Sequence, residues 1–368
     1  MSDHAHMARA IQLAKRGLYT TRPNPRVGCV LVRQGRIVGE GWHEYPGGPH
    51  AEVNALQAAG AEAEGATAYV SLEPCSHQGK TPPCADALIA ARVGRVVAAM
   101  VDPNPRVAGR GLERLAQAGI EVESGLLESQ AQALNPGFIK RMQQGLPWVR
   151  VKLAMSLDGR TAMASGDSKW ITGESARLDV QRLRARSDAI LTGIGTLLAD
   201  DPSMNLRISA QQLGCRHEPA QPMRVVVDSR LQCPDDAAMF GLPGQTVIVT
   251  CAEPQGRFPD SVSIQPMAAV EGRVDLLQTL RWLAEQQVNE VHVEAGSRLS
   301  GALLEQELVD EVVIYMAPHL MGDNAKGLFH LPQLEQMKQR IGLDIQDIRA
   351  VGGDWRITAT PRSRYIEE

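Results

Sequence analysis

His50 and Glu52 stand two residues apart in GPHAEVNAL, and Cys75 and Cys84 stand nine apart in SLEPCSHQGKTPPC. Imidazole nitrogen and thiolate sulfur are borderline-soft donors that suit zinc, and three protein ligands leave the fourth tetrahedral position open for water. His50, Cys75 and Cys84 make such a set. Residues two apart on a helix do not share a face, so Glu52 is expected beside the metal rather than on it, where its carboxylate can carry protons to and from bound water. Pro82 and Pro83 precede Cys84, and the following ADALIAA is strongly helix-forming. Cys84 therefore belongs in a first helical turn, where the dipole favours thiolate. The competing reading is a closed zinc site that only braces the fold, with Cys29 as fourth ligand. Cys29 instead reads as part of a buried strand, a common place for a free cysteine. Open coordination beside a non-ligand carboxylate favours metal-assisted hydrolysis.

Those residues need a scaffold, and 368 residues exceed what one hydrophobic core usually covers, so two domains are expected. With 43% hydrophobic and 22% charged residues, the composition is that of a globular protein. A formal charge of -4 and a pI near 6.2 provide no concentrated basic face for phosphates, which argues against nucleic acid as a partner. The N-terminal MSDHAHMARAIQLAKRG spaces Met7, Ala10, Ile11 and Ala14 helically among charged residues, which predicts a surface helix rather than a signal peptide. No apolar run approaches the roughly 20 residues that cross a bilayer, so no membrane role is expected. Six cysteines are too sparse for a disulfide framework, and a reducing cytoplasm fits best.

Along the chain, strands and helices alternate. Strands are expected at Val27–Arg33, Ala68–Leu72, Arg95–Met100 and Ile120–Glu123, the last at an edge, with helices from about His50, from about Pro83 and near Leu112–Ala118. A further helix over Ser129–Gln143 ends at Gly145 and Pro147, where the domain boundary is placed. From Trp148 the pattern restarts with VRVKLAMSL, a helix near Ser175–Ala185, and strands at Ala189–Thr192, Arg224–Asp228, Thr246–Thr250, Glu290–Glu294 and Glu311–Ala317. The stretch from about Ser209 to Pro222 reads as a surface insertion. PNPRV occurs twice, at Pro23–Val27 and Pro103–Val107; such stiff turns can hold Asn24 and Asn104 toward a ligand.

The combination of HAE with a later P-C and a third cysteine resembles the zinc nucleobase-deaminase signature, in which Glu carries protons while an amino-bearing ring carbon is attacked. The common pattern places two residues between its cysteines; here eight intervene. With that insertion, HAE, EPCSHQGKTPPC and DPNPRVAGRG resemble the deaminase half of the bifunctional pyrimidine deaminase/reductases of riboflavin biosynthesis, and the similarity runs nearly the full chain. In that family the long cysteine spacing is normal. The resemblance implies a cytidine-deaminase-like α/β/α sandwich at 1–146 and a dihydrofolate-reductase-like α/β domain at 147–368. It also implies 2,5-diamino-6-(5-phosphoribosylamino)pyrimidin-4(3H)-one as substrate, losing its C2 amino group as ammonia. Asn24, His77, Lys80, Asn104 and Arg110 are the polar candidates for its ribose and phosphate. A homo-oligomer, dimer or higher, is expected.

The second half contains no G-x-G-x-x-G, so the Rossmann fingerprint gives no support. VNEVHVEAGSRLSGALL nonetheless reads as strand, glycine turn and helix, a geometry that can offer backbone N–H groups to a pyrophosphate. VKLAMSLDGRTA, GDSKWIT, LRARSDAILTGIGTLLADDPSMNLR, VVVDSR and VEAGSRLSGALL resemble the riboflavin-type reductases, which implies NADPH and reduction of ribose C1′ to a ribityl chain. Carried over by position, Ala154, Trp170, Thr196, Asp200, Ser229 and the turn Gly296, Ser297, Arg298, Leu299, Ser300, Gly301 and Ala302 would contact the cofactor. Ser168, Arg184, Met204, Arg207 and Glu294 would contact the substrate. Met204, Arg298 and His319 depart from the residues expected there. Hydride needs an electrophilic carbon, so the ribosylamine must open to an imine, with Lys152 and Glu294 as the candidate proton carriers. Arg184 and Arg207 suit a phosphate by their fork geometry. The alternatives are a nucleoside or base deaminase fused to a folate-type reductase, and a non-enzymatic zinc-stabilised binding protein; turnover separates them.

Overall fold

The computed structural model describes residues 2–77, 82–253, 256 and 258–362, in two compact units. The first comprises Met1–Gly145 with Ser209–Pro219, and the second Leu146–Ile208 with Ala220–Glu368. Each is built on its own sheet.

The first unit runs α1 (Asp3–Ala14), β1 (Gly28–Arg33), β2 (Arg36–Trp42), α2 (Ala51–Ala59), β3 (Thr67–Val70), α3 (Cys84–Ala90), β4 (Arg95–Ala98), α4 (Arg110–Gln117), β5 (Glu121–Ser124), α5 (Glu128–Gln132) and α6 (Pro136–Gln144). The five strands lie in the order β2-β1-β3-β4-β5, with β1 antiparallel to β2 and β3, and β3, β4 and β5 parallel. The two-residue period of β1 divides its side chains between two cores. Val30 and Val32 meet Met7, Ala10 and Ala14 of α1 and Phe138 of α6. Cys29 and Leu31 meet Ala51 and Ala55 of α2, Leu88 of α3 and Leu115 of α4. The stripe expected to make α1 a surface helix is thus the face that covers one side of the sheet.

The helix expected over Ser129–Gln143 is two. Asn135 and Pro136 break it: proline fits an N1 position but not a helix interior. The freed Asn135 side chain then pairs with the backbone of Arg26, accepting from its N–H at 2.8 Å and donating to its carbonyl at 2.9 Å.

In the second unit the order is β6 (Trp148–Ser156), β7 (Arg160–Ala162), α7 (Glu174–Arg186), β8 (Ala189–Gly193), α8 (Ile194–Asp200), the first-unit helix α9 (Ala210–Leu213), β9 (Met223–Val227), β10 (Thr246–Thr250), β11 (Val262–Pro266), β12 (Ala269–Val270), β13 (Arg273–Val274), α10 (Leu276–Glu285), β14 (Glu290–Val293), α11 (Ser297–Glu305), β15 (Glu311–Ala317), β16 (Lys326–Gly327), β17 (Leu343–Val351) and β18 (Asp354–Pro361). A nine-stranded sheet has the order β11-β10-β9-β8-β14-β6-β15-β18-β17. From β11 to β15 neighbours are parallel, and β18 and β17 add antiparallel. Runs such as Val225–Val226 and Val247–Val249 are buried on both faces, which is why the parallel strands read as continuous apolar segments.

The insertion expected at about Ser209–Pro222 is not a free excursion of the second unit. Ser209 opens α9 with a capping box to Gln212. Glu44 then pairs with Arg216 at 3.1 Å and His217 at 3.2 Å, the Tyr45 and His217 rings lie 4.5 Å apart, and the Arg216 guanidinium sits 4.9 Å from the Trp42 ring.

Candidate active sites

In the first unit, His50 is the N-cap residue of α2, and Cys84 opens α3 directly after the extended Pro83. Cys75 lies in the loop that follows β3. This brings His50 Nδ1 within 3.2 Å of Cys84 Sγ and 3.6 Å of Cys75 Sγ, and the three donor atoms all lie within 4.8 Å of one another. The Cys84 N–H donates to Cys75 Sγ at 3.3 Å, as suits a thiolate at a helix start. The bond to the Cys84 side chain is the largest influence holding the Cys75 thiol down at about 4, while the same contact and burial push Cys84 far up. A divalent cation bound by both sulfurs would favour both as thiolates, and one nitrogen with two sulfurs is a donor set suited to zinc.

Glu52, in the first turn of α2, is 3% exposed. Burial first, then the negative Cys75, raises its carboxyl to about 7, against the pull of His50. Such a group exchanges protons near neutral pH.

Asn24 Nδ2 donates to His43 Nε2 at 3.0 Å while His43 Nδ1 donates to the Pro49 carbonyl at 3.0 Å, in the one tautomer that serves both. The Asn24 carbonyl oxygen is then the end left for a ligand. Asn104 is half-buried, with its N–H on Asp102 Oδ1 at 2.8 Å and its own Oδ1 accepting from the Arg106 N–H at 3.0 Å. His77 and Arg110 are exposed. Lys80 lies outside the described residues.

Sequence reasoning passed over Glu73, although EPC stood in the motif. Its buried carboxylate accepts from the N–H groups of Asp102 at 3.0 Å, Gly109 at 2.9 Å and Gly111 at 2.8 Å. The loop carrying Asn104 is thereby tied to the residue two before Cys75. Gly111 is needed there because a Cβ would overlap the Pro74 carbonyl oxygen. A Glu two residues before a candidate metal ligand, with no place of its own on the metal, is the signal for it.

In the second unit the candidates collect at the carboxyl ends of the parallel strands, where ligands bind in open α/β sheets. Ala154 is near the end of β6, Thr196 and Asp200 are in α8 after β8, Ser229 follows β9, and Glu294 and Gly296 follow β14. Thr196 Oγ1 accepts from the Gly296 N–H at 3.1 Å, joining two of them. No side chain caps α11, so its first-turn N–H groups suit the pyrophosphate of a dinucleotide. Ser297, Arg298 and Leu299 form that turn. Ser300 is buried, with Oγ donating to the Ala295 carbonyl at 3.4 Å. Gly301 faces elsewhere: a Cβ would overlap the His330 carbonyl oxygen, so this glycine lets α11 pack closely, and Ala302 joins the core.

Trp170 is 72% exposed under the Arg177 guanidinium, 4.7 Å from its ring, and is not a core side chain. Ser168 is half-buried, and Lys169 Nζ lies 3.6 Å from Asp200 Oδ1. Ser229 Oγ accepts from the Val274 N–H at 3.0 Å. Met204 is buried with φ of 47°, and Arg207 is exposed with its N–H on Gln181 Oε1 at 2.8 Å.

Arg184 is buried and engages both oxygens of Glu294, Nε to Oε1 at 2.6 Å and Nη2 to Oε2 at 2.8 Å. Burial works against the charge of Glu294, yet Arg184 and His292 hold its carboxyl well below the usual range. A carboxylate so clamped accepts hydrogen bonds but is a poor proton donor. Lys152 is half-buried, with Nζ 5.8 Å from the centre of the Tyr315 ring. Burial lowers its pKa, Arg184 adds to that, and Glu294 opposes it.

Comparison with known proteins fits this geometry. Residues 1–100 match the cytidine and deoxycytidylate deaminase zinc-binding region, and residues 147–357 match the RibD C-terminal domain. The riboflavin biosynthesis protein RibD of Escherichia coli (strain K12) is 52% identical over 359 residues, covering 96% of this chain and 98% of that protein.

The chain belongs to the RibD family.

Within that family, the structure of Acinetobacter baumannii RibD superposes with a TM-score of 0.91 at 46% identity, over 98% of this chain and 99% of that one. A Thermotoga maritima diaminohydroxyphosphoribosylaminopyrimidine deaminase/5-amino-6-(5-phosphoribosylamino)uracil reductase gives 0.86 at 33% identity, over 98% and 99%. Like other RibD chains, this one is a bifunctional enzyme of riboflavin biosynthesis, a zinc deaminase of cytidine-deaminase-like fold joined to an NADPH reductase. Among the described residues, no helix is long and apolar enough to cross a membrane.

Proposed function

We propose that the first unit, essentially residues 1–146, deaminates 2,5-diamino-6-(5-phosphoribosylamino)pyrimidin-4(3H)-one. The second, within 147–368, then reduces the ribosyl group of the product to ribityl. The observation that carries the reading is the convergence of His50, Cys75 and Cys84 beside a buried, non-ligating Glu52 whose pKa is raised to about 7.

His50, Cys75 and Cys84 would hold zinc, which when bound would supply an activated water and Lewis acidity. Glu52 takes a proton at the water side and returns it to the departing amine, a cycle suited to its raised pKa. Asn24, fixed by His43, presents its carbonyl oxygen to the ribose or ring. His77, Lys80, Asn104 and Arg110 are the further polar partners.

In the second unit, bound NADPH would supply the hydride. Ala154, Trp170, Thr196, Asp200, Ser229 and the α11 first turn position the cofactor. Lys152, whose lowered pKa eases proton release, acts on the sugar during ring opening. Glu294 accepts a ribose hydroxyl and holds Arg184. Ser168, Met204 and Arg207 complete the substrate side.

The enzyme acts in the cytoplasm, and the active form is a homo-oligomer, dimer or higher. The test of the functional reading is sequential: NADPH oxidation on the diaminopyrimidine substrate should require prior ammonia release. Oxidation at full rate without deamination overturns the order of the two steps. A folate-type substrate turned over in its place overturns the substrate.

A further inference from the structure

In EVHVEAG the polar residues Glu290, His292 and Glu294 alternate with Val291 and Val293. Residues two apart on a strand share a face, and the extended run continues through Glu294, whose N–H donates to the Leu191 carbonyl at 2.9 Å. His292 therefore stands directly behind Glu294 on one face of the sheet. Its ring is fully buried, and its register neighbours are Arg150 of β6 and Ile190 of β8. Arg150 is engaged elsewhere, with Glu290 at 3.1 Å and Glu311 at 2.9 Å. Among the described residues, neither ring nitrogen of His292 makes a hydrogen bond of full geometry, which is costly for a buried polar group. Nε2 lies 3.1 Å from one acceptor, Glu294 Oε1.

The two oxygens of Glu294 are unequally occupied. A carboxylate has about four lone-pair sites, two on each oxygen. Oε1 takes Arg184 Nε at 2.6 Å and faces His292 Nε2, whereas Oε2 takes Arg184 Nη2 alone, at 2.8 Å. The Glu294 side chain keeps 15% exposure, so the carboxylate can still meet a ligand. Burial is the largest influence on the His292 pKa and lowers it against the pull of Glu294, with Arg150 and Arg184 adding to the lowering. A neutral ring carries one proton. On Nε2 that proton is a donor beside Oε1; on Nδ1 it would leave two lone pairs facing each other.

We infer that His292 is a positioning residue of the reductase: as the Nε2–H tautomer it holds Glu294 Oε1, so that Oε2 is the oxygen that receives the ribose hydroxyl. The inference rests on the role proposed above for Glu294. His292 touches no substrate and acts through that carboxylate. The Arg184 fork fixes the carboxylate plane, and a further donor on Oε1 leaves the open lone pair on Oε2.

The experiment follows NADPH oxidation by the full chain on supplied 5-amino-6-(5-phosphoribosylamino)uracil. Wild type is compared with His292→Leu, which removes the donor, and His292→Gln, which keeps an N–H at similar reach. Ile190→Val is the control that disturbs the same face without a polar change. In His292→Leu, kcat/KM for the uracil substrate should fall about tenfold or more, as for a lost hydrogen bond to a charged group, with KM for NADPH unchanged. His292→Gln should recover most of that loss, and Ile190→Val should match wild type. A His292→Leu enzyme as fast as wild type, or equal losses in the Leu and Gln variants, overturns the role. Long-range proton–nitrogen NMR spectra of histidine-labelled wild type, assigned by the signal lost in His292→Gln, should place the proton on Nε2. A proton on Nδ1 or on both nitrogens overturns the inference even if His292→Leu fails to fold. No NADPH oxidation by wild type on this substrate overturns the reductase reading, and the role of His292 with it.

Discussion

The two active sites are built by opposite strategies. The deaminase centre gathers its three candidate ligands at helix starts and one loop, over 35 residues of sequence from His50 to Cys84, and hydrogen bonds lock the donors against one another. The reductase cleft draws single residues from the carboxyl ends of strands spread from Ala154 to Ala302, and few of them touch. A compact donor set is all-or-none. A dispersed cleft loses function by degrees.

The sharpest test of that contrast is ligand removal. Cys75→Ala or Cys84→Ala should abolish zinc binding and bring ammonia release below detection, while NADPH oxidation on supplied deaminated substrate persists; zinc content by atomic absorption reads the first effect. Full zinc retention in either variant breaks the assignment. Next in size is Glu52→Gln, which should keep the metal and cost at least 10²–10⁴-fold in ammonia release. Near wild-type deamination would remove Glu52 from the proton path.

On the reductase side, Lys152→Met should slow NADPH oxidation by about a hundredfold or more and leave ammonia release intact, so that 5-amino-6-(5-phosphoribosylamino)uracil accumulates. If both activities fall together, the sites are not independent. Glu294→Gln has a different cost. It leaves the buried Arg184 short of its carboxylate, and breaking a buried pair from one side typically costs about 3–5 kcal/mol. Its unfolding transition should fall measurably, whereas an unchanged transition would show the pair to be dispensable. Smallest is Arg216→Ala, an exposed partner of Glu44, for which a loss of about 1 kcal/mol or less is expected by thermal melt.

Legibility followed the same divide. His50, Glu52, Cys75 and Cys84 announced themselves because metal chemistry restricts residue type and spacing together. Most strands of both sheets were readable from apolar periodicity, but β11, β17 and β18, at the two ends of the second sheet, were not. In the reductase half the strand, glycine turn and helix at Gly296 could be read from the residues, but Thr196 and Ser229 were reachable only through family resemblance, since a Thr or Ser at a strand end carries no spacing signature. Glu73 was missed because its task is to hold backbone N–H groups, and those partners lie 29 to 38 residues away. The clamp on Glu294 was equally invisible: nothing local ties it to Arg184, 110 residues earlier. The two-helix break at Asn135-Pro136 was readable and was overridden by the helical pattern around it.

The segment Ser209–Pro219 belongs by sequence to the second half and by packing to the first unit. Cutting the gene at the apparent domain boundary would therefore part this segment from the unit it packs on. The N-terminal fragment would expose Trp42 and Glu44, and the C-terminal fragment would carry an orphaned loop bearing Arg216 and His217.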